Sequence, residues 1–215
     1  MTQLHAPTSA IVIRHGESEW NVLGKWQGRA DTQLTPAGRA QARAAAERLL
    51  VDGVSVDRVA ASSLTRARET AEIIATHLGV GEVLVDDRLV ETDVGPWQGL
   101  REHEIEARWP NYLRDRRTPP HFEAPDLVFA RAEQALRDLM RLTRGAGQTA
   151  HRVLVVTHSG VIRTVRRVMQ VHDRRLHNLE GCHFTIDAEG NLVAGDFVAL
   201  VALVTPSHVT TNDAV

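Results

Sequence analysis

Two apolar runs in this chain each end in a histidine. Ala10-Ile11-Val12-Ile13 leads into Arg14-His15-Gly16-Glu17, and Val153-Leu154-Val155-Val156 leads into Thr157-His158-Ser159-Gly160. A guanidinium is a planar, permanently charged set of donors that matches phosphate oxygens, and an imidazole offers a nitrogen that attacks or relays protons near neutral pH. Both runs are short, β-branched and almost continuously apolar, as central strands of a covered sheet are. In open α/β sheets ligands collect at the carboxyl ends of the strands. Adjacent parallel strands would therefore deliver His15 and His158 to one crevice, and Arg66, placed at a helix start, would make that crevice cationic. Taken singly, Arg66 reads as a helix-surface arginine and His158 as a core histidine. Together the set points to phosphate chemistry.

The elements that must position these groups alternate between strand and helix. Thr35-Pro36 is an N-cap followed by proline at the first helical position, and Ala40, Ala44, Ala45 and Leu49 carry that helix to Asp52-Gly53. A strand is expected over Val56 to Ala61, then a helix with Ala67, Thr70, Ala71, Ile74 and Leu78 on one face, stopped by Gly79. Glu82 to Val85 reads as another strand, followed by a loop from Glu91 to Gly99. Leu100 to Arg117 reads as a polar helix that Thr118-Pro119-Pro120 breaks, and a long amphipathic helix follows around Asp126 to Leu142. The closing pattern is a helix at Val161 to Val171 and two strands, His183 to Ile186 and Leu192 to Val201, joined by Asp187-Ala188-Glu189-Gly190. This order predicts a single three-layer α/β/α domain with a mostly parallel central sheet and right-handed crossovers. The expected domain spans 1–204, with a polar, flexible tail at 205–215.

Composition narrows the function. The 215 residues are 43% hydrophobic, enough for one sizeable core, and the formal net charge of -2 argues against a bulk polyanion partner such as nucleic acid. A local basic pocket for a small phosphorylated substrate remains compatible with that balance. Cys182 is the single cysteine, so no internal disulfide framework exists, and its expected role is that of a small buried residue. No stretch has the length of a membrane span and Met1 to Ser9 does not resemble a signal peptide, so a cytoplasmic protein is expected. The eleven histidines include no close His-x-x-x-His pair, and neither a metal nor another cofactor is expected. A second copy of the chain, as a homodimer, is the one protein partner entertained.

The order of motifs resembles the histidine phosphatase superfamily, the phosphoglycerate mutase-like proteins. The likeness lies in Arg14-His15-Gly16-Glu17-Ser18-Glu19-Trp20-Asn21, in Gln27-Gly28 through Leu34-Thr35 and Gly38, and in Ser62-Ser63-Leu64-Thr65-Arg66-Ala67 with Thr70-Ala71. It continues in Leu89-Val90-Glu91 with Gly95, Trp97 and Gly99, and closes at Val156-Thr157-His158-Ser159-Gly160. The resemblance implies a phosphohistidine mechanism. His15 would be the nucleophile, with its other ring nitrogen donating to a backbone carbonyl. Arg14, Arg66 and His158 would bind the phosphoryl oxygens, Asn21 would add a contact, and Gln27 and Gly28 would belong to the substrate site. Glu91 would serve as the proton donor and then the acceptor, with Asp93 as a nearby competitor. Trp20, Trp26, Trp97 and Trp109 stand between packing and lining the pocket mouth, and Glu17 reads as structural.

Within the resemblance, the segment after Glu91 is short for a mutase, and Val94 and Glu102 stand where the mutase has a tyrosine and a lysine. Arg116-Arg117 before Thr118-Pro119-Pro120 is faintly similar to the mutase's paired arginines, but the intervening segment is too short for that loop. A phosphatase is therefore expected. Mutase activity and a catalytically silent phosphate-binding module are the competing readings. Glu123-Ala124-Pro125-Asp126 departs from the Gly-Glu-Ser stretch common in the phosphatases.

Overall fold

The computed structural model describes residues 8–142 and 151–201. The expected tail at 205–215 lies outside them. Six strands form one mixed sheet: β1 (Thr8–Arg14), β2 (Arg58–Ala61), β3 (Leu84–Val85), β4 (His151–Thr157), β5 (Glu180–Ile186) and β6 (Leu192–Ala199), in the spatial order β3-β2-β4-β1-β5-β6. The first four places in that order are joined by parallel ladders, while β5 and β6 run antiparallel. The hairpin turn at Asp187 explains this closing pair, since so short a connection can only join antiparallel strands.

Side-chain alternation builds the two outer layers. Ala10 and Val12 on β1 and Val153 and Val155 on β4 meet α5 (Pro125–Leu142) and α6 (Ser159–Val168) on one face. Ile11, Ile13, Leu154 and Val156 project to the other face, against α2 (Pro36–Val51) and α3 (Thr65–Leu78), which follow the short α1 (Glu19–Val22). Both faces of the central strands are thus covered, which is why those strands read as unbroken apolar runs. Cys182 is fully buried in the first of these cores. Burial pushes its thiol up to about 11, so it behaves as a packing residue.

A third, smaller core sits over the carboxyl ends of the strands. Trp97 is completely buried there and packs edge-on against Trp26, Trp109 and Phe122, with Ile105 and Leu113 filling the remainder. Packing therefore decides the role of Trp97 and Trp109. The residues expected to form one helix from Leu100 to Arg117 form only α4 (Glu102–Arg108), then turns. Pro110 is the reason: it disfavours helical backbone at Trp109 and has no N–H to continue the ladder. Asn111 and Arg116 then take left-handed backbone angles that reverse the chain. Smaller boundary shifts follow similar logic. The strand expected from Glu82 holds only two paired residues at the sheet edge, and α6 begins at Ser159 because His158 is its N-cap and stops before Gln170, which has φ 57°. Among the described residues, no helix is long and apolar enough to cross a membrane.

Candidate active site

The register of β1 against β4 builds the centre of the site. Arg14 lies opposite Thr157, so the next residues, His15 and His158, leave the sheet side by side, and the His15 N–H donates to the Thr157 carbonyl at 3.0 Å. Their rings meet edge to face with centroids 5.3 Å apart. Gly16 allows the departure to be tight: a Cβ there would lie 2.6 Å from the Gly38 carbonyl oxygen of α2. His15 Nδ1 lies 2.6 Å from the Gly16 carbonyl oxygen. A carbonyl only accepts, so Nδ1 carries the proton and Nε2 keeps its lone pair. That Nε2 accepts from Arg66 Nε at 3.2 Å.

Arg66 occupies the first turn of α3, as its sequence position implied, but it is wholly buried. Its terminal nitrogens donate to the carbonyls of Ala30 at 2.7 Å and Gly28 at 2.9 Å. Gly28 has φ 49°, and a Cβ on it would strike Val94. Burial draws the Arg66 guanidinium down to about 10, against the charges of Glu91 and Asp31, which raise it. Arg14 is also buried and donates to the Leu176 carbonyl at 2.7 Å. His15 is held well below the usual histidine range by burial first and by Arg66 and Arg14 next. His158 is lowered likewise by burial and then by Arg66 and His15. Both imidazoles are neutral at pH 7.

A cavity of about 280 Å³ opens above this cluster. Arg14, His15, Asn21, Gln27, Gly28, Arg66 and Glu91 all line it, so the structure gathers these residues from widely separated parts of the chain. The Asn21 oxygen accepts from Ser18 and from Asn178 Nδ2, which leaves the amide nitrogen as its donor end. The Gln27 oxygen is similarly occupied by the Ser18 and Thr32 hydroxyls. His158 behaves differently. It is buried behind His15, is not among the residues of the cavity wall, and bonds through Nε2 to Ser62 Oγ at 2.9 Å while its Nδ1 has no partner.

Glu91 reaches the cavity because its carboxylate accepts the Thr92 N–H at 2.7 Å and the Gly160 N–H at 3.2 Å, at the start of α6. A Cβ at position 160 would sit 2.5 Å from Glu91 Oε1, so a larger residue there would displace the carboxylate. Asp93 turns away and caps the Gly95 N–H instead. Glu17 also lies outside the cavity, accepting the Thr35 hydroxyl at the head of α2.

A neutral imidazole lone pair beside two buried guanidinium groups, with a carboxylate on the facing wall, is an arrangement for attack on a phosphate ester. The family model "Histidine phosphatase superfamily (branch 1)" matches residues 10–190. The chain belongs to the histidine phosphatase superfamily. It is 38% identical over 162 residues to phosphoglycerate mutase-like protein 4 of Arabidopsis thaliana, covering 72% of this chain and 68% of that one. To the metal-independent phosphoserine phosphatase of the same plant it is 34% identical over 165 residues, covering 74% and 67%. A mycobacterial glucosyl-3-phosphoglycerate phosphatase, solved with VO3, superposes with a TM-score of 0.76 at 26% identity, covering 89% of this chain and 99% of that one. The chain is an enzyme of the histidine-phosphatase type.

Several residues of this histidine phosphatase site escape a reading of motifs. Asn178 donates to the His15 carbonyl at 2.9 Å and to Asn21, and it lies in an irregular segment with no periodicity to mark it. Arg163, Thr164 and Arg167 on α6 line the cavity, with both arginines paired to Asp173. Their spacing on one helix was the available signal. Lys25, the only lysine in the chain, also lines it, as does Arg116 of the pair noted in the sequence, because the turn after α4 folds back over the site.

The buried imidazole pair makes stability depend on pH. A histidine whose folded pKa lies below its unfolded value binds fewer protons when folded, so its contribution is intact above about pH 6.5 and is lost as pH falls below that value. Urea unfolding should therefore weaken by up to about 1.4 kcal/mol per histidine between pH 7.5 and about pH 5.5. His158→Gln should remove about half of that slope. Equal slopes in the two proteins would show that His158 is not held neutral.

Proposed function

We propose that the chain is a metal-independent phosphomonoesterase for small phosphorylated metabolites that works through a phosphohistidine at His15. The observation that carries this reading is the tautomer lock: the Gly16 carbonyl holds the Nδ1 proton, so the Nε2 lone pair is presented beside Arg66 at a cavity also lined by Arg14. The name of the phosphoserine phosphatase relative supports independence from metal.

In the first step Nε2 attacks phosphorus and the ester P–O bond breaks, while Glu91 gives a proton to the departing oxygen, which leaves as an alcohol. In the second step the Glu91 carboxylate takes a proton from water, the water oxygen attacks phosphorus and the N–P bond breaks. Phosphate leaves and His15 returns neutral. Arg14 and Arg66 spread the charge that gathers on the phosphoryl oxygens, which is most of what a protein contributes to such a transfer. The unpartnered Nδ1 of His158 supplies a further polar group immediately behind the nucleophile.

Wild-type protein should hydrolyse p-nitrophenyl phosphate in the presence of a chelator and should be inhibited by vanadate. His15→Ala should lose activity by about 10³-fold or more while unfolding at a comparable urea concentration. Undiminished turnover in that variant would remove His15 from the nucleophile's role.

The mutase-like relative favours a second reading, in which the phosphoryl group is returned to the substrate. The short, turn-rich segment from Trp109 to Ala124 favours water as the acceptor. Incubation with a phosphoglycerate should accordingly release inorganic phosphate faster than it forms the isomer. The opposite ratio would establish the mutase.

Glu91 is tested by its leaving group. General-acid assistance is typically worth ~10²- to 10⁴-fold and matters least for an activated phenolate. Glu91→Gln should slow phosphoenzyme formation from an alkyl phosphate far more than from p-nitrophenyl phosphate in the pre-steady-state burst. Equal losses would exclude Glu91 as the donor.

A further inference from the structure

The segment that carries Glu91 has almost no regular structure of its own. It follows a single 3-10 turn at Asp87–Leu89 and precedes another at Gly95–Trp97, so its backbone groups need partners from elsewhere. One side chain supplies most of them. Arg131, on α5, donates Nη1 to the carbonyls of Arg88 at 2.8 Å and Val90 at 2.6 Å, and Nη2 to the carbonyl of Glu91 at 3.3 Å. Its Nε and Nη2 also donate to the two carboxylate oxygens of Glu123, at 2.9 and 3.0 Å. A guanidinium has five N–H donors, and here all five have acceptors. The remaining carbonyl of the run, that of Leu89, is taken by the Thr157 hydroxyl beside His158 at 2.7 Å.

Glu123 closes the clasp from the opposite side. Its Oε2 accepts the Asp93 N–H at 3.1 Å, its own N–H donates to the Asp93 carbonyl at 2.8 Å, and Arg29 pairs with Oε1 at 3.1 Å. Burial opposes the charge on Glu123, but the hydrogen bonds from Arg131 and Asp93 outweigh it and keep the carboxyl below its ordinary range. Arg131 is not among the residues lining the cavity, so it bears on Glu91 through the segment it holds, while its charge also helps to lower His158.

We infer that Arg131, clasped by Glu123, is a positioning residue that fixes where the Glu91 carboxylate stands relative to the departing oxygen. Three inward-turned carbonyls on one rigid fork hold the backbone on either side of the Glu91 side chain. The Gly160 N–H then aims the carboxylate itself. A lysine at 131 has three donors on a flexible stem and cannot serve five acceptors in one plane. Misplacement of a reacting group by about 1 Å is enough to cost ~10²-fold in rate.

The inference rests on Glu91 being the proton donor, and a double-mutant cycle tests the two separately. Burst-phase phosphoenzyme formation is measured for methyl phosphate and p-nitrophenyl phosphate in wild type, Arg131→Met, Glu91→Gln and the double variant. Arg131→Met should lower the methyl-to-nitrophenyl rate ratio by ~10- to 10²-fold, and the double variant should show the ratio of Glu91→Gln alone. Glu123→Gln, which keeps one acceptor oxygen but sets an amide NH2 against the donors at the other, should shift the ratio in the same direction by less, and covers the case in which Arg131→Met fails to fold. A ratio altered by Glu91→Gln but by neither Arg131→Met nor Glu123→Gln overturns the positioning role while leaving the acid assignment standing. A ratio unmoved by Glu91→Gln overturns both. Fully additive effects in the double variant would show that Arg131 does not act through Glu91.

Discussion

Keeping an imidazole neutral between two buried cations is the constraint on which the rest of this structure turns. A charged His15 would lose its lone pair, and a hydrated one would lose its fixed tautomer. Burial and the fields of Arg66 and Arg14 press the ring toward the neutral form, and the Gly16 carbonyl chooses which nitrogen keeps the proton. The cations must themselves be tolerated without water. Arg66 achieves this with hydrogen bonds to the carbonyls of Gly28 and Ala30, which solvate a guanidinium without neutralising its charge. The charge thus stays available to an anion in the cavity.

That arrangement explains features far from the chemistry. Gly28 must be glycine both for its left-handed backbone and for the space Val94 occupies, and its carbonyl is one of the groups that hold Arg66. Gly16 and Gly38 permit α2 to press against the loop after β1, where added side chains would collide with backbone. Thr70 links the two layers, since its hydroxyl accepts from the Gly16 N–H and donates to the Arg66 carbonyl. The tryptophan-rich core around Trp97 holds the capping segment from which Arg116, Phe122 and Glu123 reach the cavity.

The site divides into a rigid half and a half assembled from irregular chain. His15, Arg66 and His158 sit at the ends of strands or on the first turn of a helix, where the sheet register fixes them. Gln27, Glu91, Arg116 and Asn178 sit on irregular segments and Asn21 on a single helical turn; Arg131 satisfies the carbonyls flanking Glu91, and Asn178 reaches across to the carbonyl of His15. The second half rests on loops, which tolerate change that a buried sheet does not.

The amino-acid order determined the alternation of strand and helix, the covered central strands and the placement of His15 and His158 at strand ends. Those features depend on local periodicity and burial, which side-chain type records residue by residue. The ordered motifs also marked Glu91 and Arg66, although not that Arg66 is wholly enclosed. Tertiary structure alone decided that Asp93 caps the Gly95 N–H, that His158 is enclosed beside His15 with its Nε2 on Ser62, and that Glu123 serves a clasp. Those outcomes depend on which carbonyls are left without partners once the sheet and helices have formed, and that sum is taken over residues such as Arg88, Glu91, Glu123 and Arg131 that meet only in the folded chain.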